Sequence, residues 1–393
     1  MSPSTSIQLY AELLINIRTV TFFATLSSEH TPLTKAELSA DGETITLSHE
    51  GETARIRLPT RIKGGGSATL SLPESPAKDL SLRLQLEETR EGFLRFPGGV
   101  GEMGGGENVV PWDASTFATG KQVRCKSCGA RFLGGQVRVW KDLPGEGWAE
   151  MMEFWHCHKP HEHGEEGHEH DDVQGKGYAA GQRWVVVKGT GFVDLAYMVC
   201  AEDDFEGIEK AAATETSMIP QKLACKTCGA MVGVVDEKAE GWRVFKWSMA
   251  LSTADGQQES YSAEKWISAQ ILTAIENDAI RKFVVSSADR ERCDDDRALM
   301  LWIFTPDLSI SSSVGSDERQ DPTRVMKVFH RTIHDSGDVI DTDTSVERLY
   351  FPEEVLQLLL RSLEKNAELL PETARRFKEW DVGLLQRFDP KAV

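Results

Sequence analysis

Apolar and polar residues alternate with period two through the first quarter of the chain. The pattern is clearest in residues 15–22, 44–47, 54–58 and 80–86. Such alternation buries one face of an extended segment and wets the other, as in an antiparallel sheet packed on one side. Turn pairs such as Asp41-Gly42 and Glu50-Gly51 punctuate the runs and mark chain reversals. Residues 1–118 therefore read as a β-rich N-terminal domain, an antiparallel β-sandwich or barrel.

A glycine-rich stretch follows at 98–106. No Lys-Ser/Thr pair comes after it and no helical period begins there, so a flexible connection is expected rather than a phosphate loop. Strand-like runs at 137–140, 183–187, 192–200 and 242–247 predict a second β-domain over 119–254. Between them, His161, His163, His168 and His170 stand among acidic residues and glycines. That tract is too polar to bury, and a disordered insertion near 159–177 is expected.

From 263 the period lengthens. Ser262 suits the cap of a helix with Trp266, Ile267, Ile271, Leu272 and Ile275 at helical spacing. Strands are expected at 298–304 and 324–329, with an acidic loop at 315–321 between them. Pro352-Glu-Glu opens a helix with Val355, Leu358, Leu359 and Leu363 on one face. Pro371 interrupts it, and residues 373–388 read as a last amphipathic helical piece. Residues 255–393 are thus an α+β C-terminal region with terminal helices, expected to pack on the middle domain. The whole chain is α+β and mostly β.

Composition narrows the functional classes. The 393 residues are 40% hydrophobic and 27% charged, a globular composition with length for two or three cores at about 100–200 residues each. Acidic residues outnumber basic ones 62 to 44, for a net charge of −18. Such a surface repels phosphate backbones and anionic membranes, so neither nucleic acid nor membrane is expected as a direct partner. No apolar run approaches the roughly 20 residues that span a bilayer, and no secretory signal pattern is visible. Seven cysteines, four of them in C-x-x-C pairs, suit a reducing compartment better than a disulfide framework. A cytoplasmic or nuclear location is expected.

Those pairs are the strongest chemical signal. Cys125-Lys-Ser-Cys128-Gly129-Ala130 recurs as Cys225-Lys-Thr-Cys228-Gly229-Ala230. A tight turn that aims two sulfurs inward, closed by a glycine with positive φ, is how a zinc knuckle is built. Two knuckles supply four thiolates, the complement of one structural Zn2+ site that clasps distant segments. Redox thiols or a disulfide are the alternatives for this spacing. The many tryptophans nearby read as core of a small metal-centred domain.

Cys157 lies in Trp155-His-Cys-His158, between two imidazoles in sequence. Three readings stand. It is a nucleophile activated by a neighbouring base, an inert core cysteine, or a metal ligand. In the ligand reading Cys157 or His158 joins Cys125 and Cys128, and Cys200 joins Cys225 and Cys228, giving two sites in place of one. On a strand adjacent side chains point to opposite faces, so neither imidazole need touch the sulfur. Cys200 and Cys293 lack flanking bases and read as core or surface residues.

The first knuckle, Leu143-Pro-Gly-Glu-Gly-Trp148, Trp155-x-Cys157-His158 and the second C-x-x-C-G occur in that order. Together they resemble the HECT-like ubiquitin-conjugating-enzyme-binding family. The C-terminal third is similar too, at residues 299–311, at Met326-Lys-Val-Phe329, and from Leu369-Leu-Pro-Glu-Thr-Ala to Trp380-Asp-Val-Gly-Leu-Leu385. The resemblance implies a ubiquitin-protein ligase or ligase-like factor that binds a ubiquitin-conjugating enzyme and a protein substrate. In its covalent form ubiquitin passes through a cysteine thioester. It also implies a link to the nuclear machinery of mRNA 3'-end processing, where the alternative is a non-catalytic scaffold that binds and stabilises a subunit. Thiolates saturated by zinc are poor nucleophiles, which leaves Cys157, Cys200 and Cys293 for any thioester, with Cys157 the best placed.

Overall fold

The computed structural model describes residues 6–14, 17–62, 68–86, 108–143, 185–211, 220–253, 255–288, 297–315, 319, 321–334 and 345–390. Two units are formed, Met1–Val109 with Ile267–Val393, and Val110–Trp266. The sequence divides at 118 and 254 by composition. Strand pairing draws the line elsewhere and unites the first and last segments in one unit.

The element that unites them is the strand Arg297–Ser312. Thr323–His334 runs antiparallel along one of its edges. On the other edge Lys282–Ser287 pairs with its first half, from Val285 opposite Leu299 to Lys282 opposite Trp302. Gln8–Leu14 pairs with the second half, from Leu13 opposite Ser309 to Tyr10 opposite Ser312. The register shifts between Ile303 and Leu308, where Pro306 has no N–H to give the ladder. Its carbonyl accepts from Arg387 instead, at 2.8 Å. Thr19–Thr25 and Asp79–Gln85 extend one end of this nine-stranded sheet, and Trp380–Gln386 and Arg376–Phe377 the other.

A separate four-stranded antiparallel sheet holds Lys35–Leu38, Thr44–His49, Glu52–Arg57 and Ala68–Leu70. Leu9, Val20 and Phe22 from the large sheet share one buried cluster with Ile45, Leu47 and Ile56 from the small one. Two sheets over one core form the sandwich that the alternation predicts. The run 15–22 is not one strand, however. Arg18 takes a φ of 50° in the turn between Gln8–Leu14 and Thr19–Thr25. Residues 9–13 are buried throughout, so the first of these strands carries no alternation to read.

Burial on both faces brings one polar side chain inside. Glu12 accepts from Tyr10 Oη at 2.9 Å and from Lys327 Nζ at 2.5 Å. The ion pair ties the N-terminal strand to Thr323–His334.

The helix Ala263–Asp278 is where the spacing predicts it, with Trp266, Ile267 and Ile271 fully buried. The helix Glu353–Ala367 likewise buries Val355, Leu359 and Leu363. Residues 373–388 depart from expectation. They form a short 3-10 turn at Glu372–Ala374, then the hairpin of Arg376–Phe377 with Trp380–Gln386. Lys378, at a φ of 54°, makes the turn. The last strand is paired along Thr323–His334 and covered by Glu353–Ala367. That tertiary setting overrides a helical spacing. Gly383 permits the fit, since a Cβ there would lie 2.8–3.0 Å from atoms of Leu363.

The second unit is also β-rich. Its seven-stranded sheet runs in the order Ile208–Lys210, Lys222–Cys225, Met231–Asp236, Gly241–Phe245, Tyr197–Cys200, Thr190–Val193, Val139–Asp142. A three-stranded sheet places Met249–Ser252 between Gln258–Glu259 and Gln122–Cys125. Of the expected strand 183–187, the described part, Val185 to Val187, lies outside any strand. The glycine-rich stretch 98–106 and the His-rich insertion lie outside the described residues. Among those residues no helix is long and apolar enough to cross a membrane.

Replacing Glu12 by Ala strands the Lys327 ammonium in a largely dry setting, which costs about 3 kcal/mol or more. We expect denaturant unfolding of Glu12→Ala to report a loss of this size, and Glu12→Ala with Lys327→Met to recover most of it.

Candidate metal centre

The two C-x-x-C segments fold as copies of each other. Each first cysteine ends a strand, Gln122–Cys125 or Lys222–Cys225. In the first copy Cys125 N donates to Ala130 O at 2.7 Å and Gly129 N to Cys125 O at 2.8 Å. In the second, Cys225 N donates to Ala230 O at 2.9 Å and Gly229 N to Cys225 O at 2.8 Å. Gly129 and Gly229 have φ of 75° and 70°, a conformation glycine enters without a Cβ penalty. The chain then returns alongside its own strand, with Arg131 opposite Arg124 and Met231 opposite Ala224.

The repetition extends to the neighbours. Met249 pairs with Cys125 as Ile208 pairs with Cys225. Lys126 N donates to Ser248 O as Lys226 N donates to Gly207 O, both at 3.0 Å. The supports are also crossed. Glu206 N, beside the strand that flanks the second knuckle, donates to Phe132 O just beyond the first. Ser248 Oγ, beside the strand that flanks the first, donates to Val232 O just beyond the second. Each knuckle is therefore braced by backbone that leads to the other.

This bracing brings the four sulfurs together. Cys125 Sγ lies 3.8 Å from Cys228 Sγ, and Cys128 Sγ lies 3.6 Å from Cys225 Sγ. All four fall within 4.8 Å of one another. A disulfide needs about 2.05 Å, so none joins them. A tetrahedron of thiolates about 2.3 Å from a central zinc has edges of about 3.8 Å, which the two separations between the knuckles match. Cys125 and Cys225 are buried, Cys128 and Cys228 exposed. Burial drives the Cys125 thiol up to about 12. At Cys225 the backbone N–H groups of Cys228 and Thr227 overcome desolvation and bring the thiol down to about 7. The four donors can hold one metal ion, whose charge would replace the protons they otherwise keep.

Cys200 is elsewhere. It is fully buried at the end of Tyr197–Cys200, opposite Trp242, and burial pushes its thiol far up. Cys157, His158 and Cys293 lie outside the described residues. One residue without a sequence signal stands out nearby. Lys246 is 2% exposed, and desolvation lowers its ammonium to about 7 against the pull of Asp194, Asp142 and Asp113. Its Nζ sits 5.3 Å from the centre of the Trp266 ring.

Residues 12–382 match the family model described as HECT-like ubiquitin-conjugating enzyme (E2)-binding. The chain belongs to this family. An uncharacterized protein of Schizosaccharomyces pombe is 25% identical over 297 residues, covering 73% of this chain and 80% of its own. An uncharacterized protein of Saccharomyces cerevisiae is 22% identical over 263 residues, 66% of this chain and 67% of its own. No solved structure matches significantly. In this HECT-like chain the four converging cysteines are those of the twin knuckles, and they draw on both ends of the second unit.

A shared site makes a sharp stoichiometric prediction. Elemental analysis should find one equivalent of metal per chain, lost on Cys125→Ser and equally on Cys225→Ser, and retained on Cys200→Ala. Two equivalents, each lost by only one of the knuckle substitutions, would instead require separate sites.

Proposed function

We propose that the protein is a ubiquitin-ligase-like factor that binds a ubiquitin-conjugating enzyme and a protein substrate. Its second unit is clasped by a structural zinc ion on Cys125, Cys128, Cys225 and Cys228. Membership of the E2-binding family over residues 12–382 carries the reading. The four-sulfur cluster supports it by assigning the knuckle thiols to structure. When bound, zinc supplies a cross-link and no reaction step, and its charge and bonds engage the lone pairs a nucleophile would need. A covalent form of the activity would then fall to Cys157, between His156 and His158.

A second reading has an observation of its own. Of the described cysteines, four converge and Cys200 is fully buried. This favours a non-catalytic, zinc-stabilised scaffold, whose partner on the family resemblance would be a subunit of the nuclear mRNA cleavage and polyadenylation machinery. Both readings go with a cytoplasmic or nuclear location.

Purified protein titrated against a panel of ubiquitin-conjugating enzymes should bind at least one of them, measured by calorimetry. Binding to none overturns the first reading. With that enzyme charged with ubiquitin, an adduct that reductant removes and Cys157→Ser abolishes supports the thioester form. An adduct that survives Cys157→Ser overturns the assignment of that residue. Chelation of the metal should unfold the second unit, because the binding free energy is part of its folding free energy. Circular dichroism unchanged after metal removal would contradict the structural role of zinc.

A further inference from the structure

We propose that the four-cysteine cluster is also an oxidation site. A hydroperoxide converts it to two disulfides, Cys128 with Cys225 and Cys125 with Cys228, and these take over the clasp as the metal leaves. The inference rests on the reading of a structural metal given above and names the modification that this site takes.

Two sulfur contacts across the cluster each join an exposed cysteine to a buried one. Cys128 and Cys228 are exposed, Cys125 and Cys225 buried. Cys128 Sγ lies 3.6 Å from Cys225 Sγ, and Cys228 Sγ lies 3.8 Å from Cys125 Sγ. An oxidant arriving from solvent thus meets a cysteine whose sulfur faces a second one on the opposite knuckle. Oxidant-sensitive cysteines are accessible and poised beside such a resolving sulfur, and this cluster holds two pairs of that kind. The hydrogen bonds that close the turns, from Gly129 N to Cys125 O and from Gly229 N to Cys225 O, do not involve the sulfurs.

The chemistry balances with the hydroperoxide as the sole oxidant. The Cys128 thiolate attacks the O–O bond. An S–O bond forms, the O–O bond breaks, and the departing oxygen takes a proton and leaves as alcohol or water. The Cys225 thiolate then attacks the Cys128 sulfur. The S–S bond forms as the S–O bond breaks, and the released hydroxide takes a second proton and leaves as water. Two thiolates have given up two electrons and one hydroperoxide has been reduced. Cys228 and Cys125 follow by the same route. Each disulfide removes two of the four donors, so completion of both frees the ion. The new bonds join residues 97 and 103 positions apart, and thus the same two segments that the metal joins. Cross-links over loops of this length constrain the unfolded chain. A disulfide within one knuckle would leave the two turns unlinked.

The test is titration of the full-length, zinc-loaded protein with hydrogen peroxide, with a metallochromic dye reporting free ion. One equivalent should be released, and alkylation followed by peptide mass mapping should find Cys128 joined to Cys225 and Cys125 joined to Cys228. A dimedone-type probe present from the start should label Cys128 and Cys228 ahead of Cys125 and Cys225. Circular dichroism of the oxidised, metal-free protein should keep the β signal that the chelated, reduced protein loses. Reductant with zinc should restore the starting form. Cys157→Ser with Cys293→Ser should release the ion as wild type does. Protein that carries no metal as purified overturns the zinc reading and this inference with it. Metal retained under peroxide overturns this inference alone, as do disulfides confined within a knuckle or a loss of fold equal to that on chelation. Release that the Cys157 and Cys293 variant abolishes places the oxidation elsewhere and overturns it likewise.

Discussion

Four sulfur donors held within 4.8 Å of one another are the constraint on which the second unit turns. Thiolates at that range repel, and buried thiols that keep their protons lose good acceptors. A divalent cation at the centre removes both penalties at once. The surrounding backbone is arranged for this. Each knuckle is closed by the same two backbone hydrogen bonds, and each is braced by residues that lead into the strand flanking the other. Neither half offers more than two donors, so an ion bound here would join both, and its binding free energy would be part of this region's stability.

A different kind of closure organises the first unit. The strand Arg297–Ser312 accepts Lys282–Ser287 and Gln8–Leu14 in succession along one edge, so the two ends of the sequence share a sheet. The buried pair of Glu12 and Lys327 repeats the link with charge. Contacts between residues so far apart in sequence form late and at high entropic cost. The N-terminal sandwich therefore depends on the C-terminal third for its complete sheet.

These two closures separate structure from chemistry. The knuckle cysteines converge where they can hold one metal ion, and Cys200 is sealed in the core. Among the described cysteines, none outside the cluster is exposed.

The sequence alone determined what local spacing controls. Period-two alternation identified the strands Thr44–His49, Glu52–Arg57 and Asp79–Gln85, because one face of such a strand is wet. The repeated C-x-x-C-G wrote both knuckles in full, since the turn needs only two sulfurs and a glycine able to take positive φ. Helical spacing found Ala263–Asp278 and the start of Glu353–Ala367. Only the tertiary structure decided which segments pair. Gln8–Leu14 escaped because burial on both faces erases alternation. Residues 373–388 escaped because sheet pairing and a covering helix outweigh a helical pattern. Lys246 carries no mark in sequence, and its burial comes from segments distant in the chain, among them the helix that carries Trp266. The repeat already suggested one shared site for the four cysteines, and long-range packing decided for it over two separate sites.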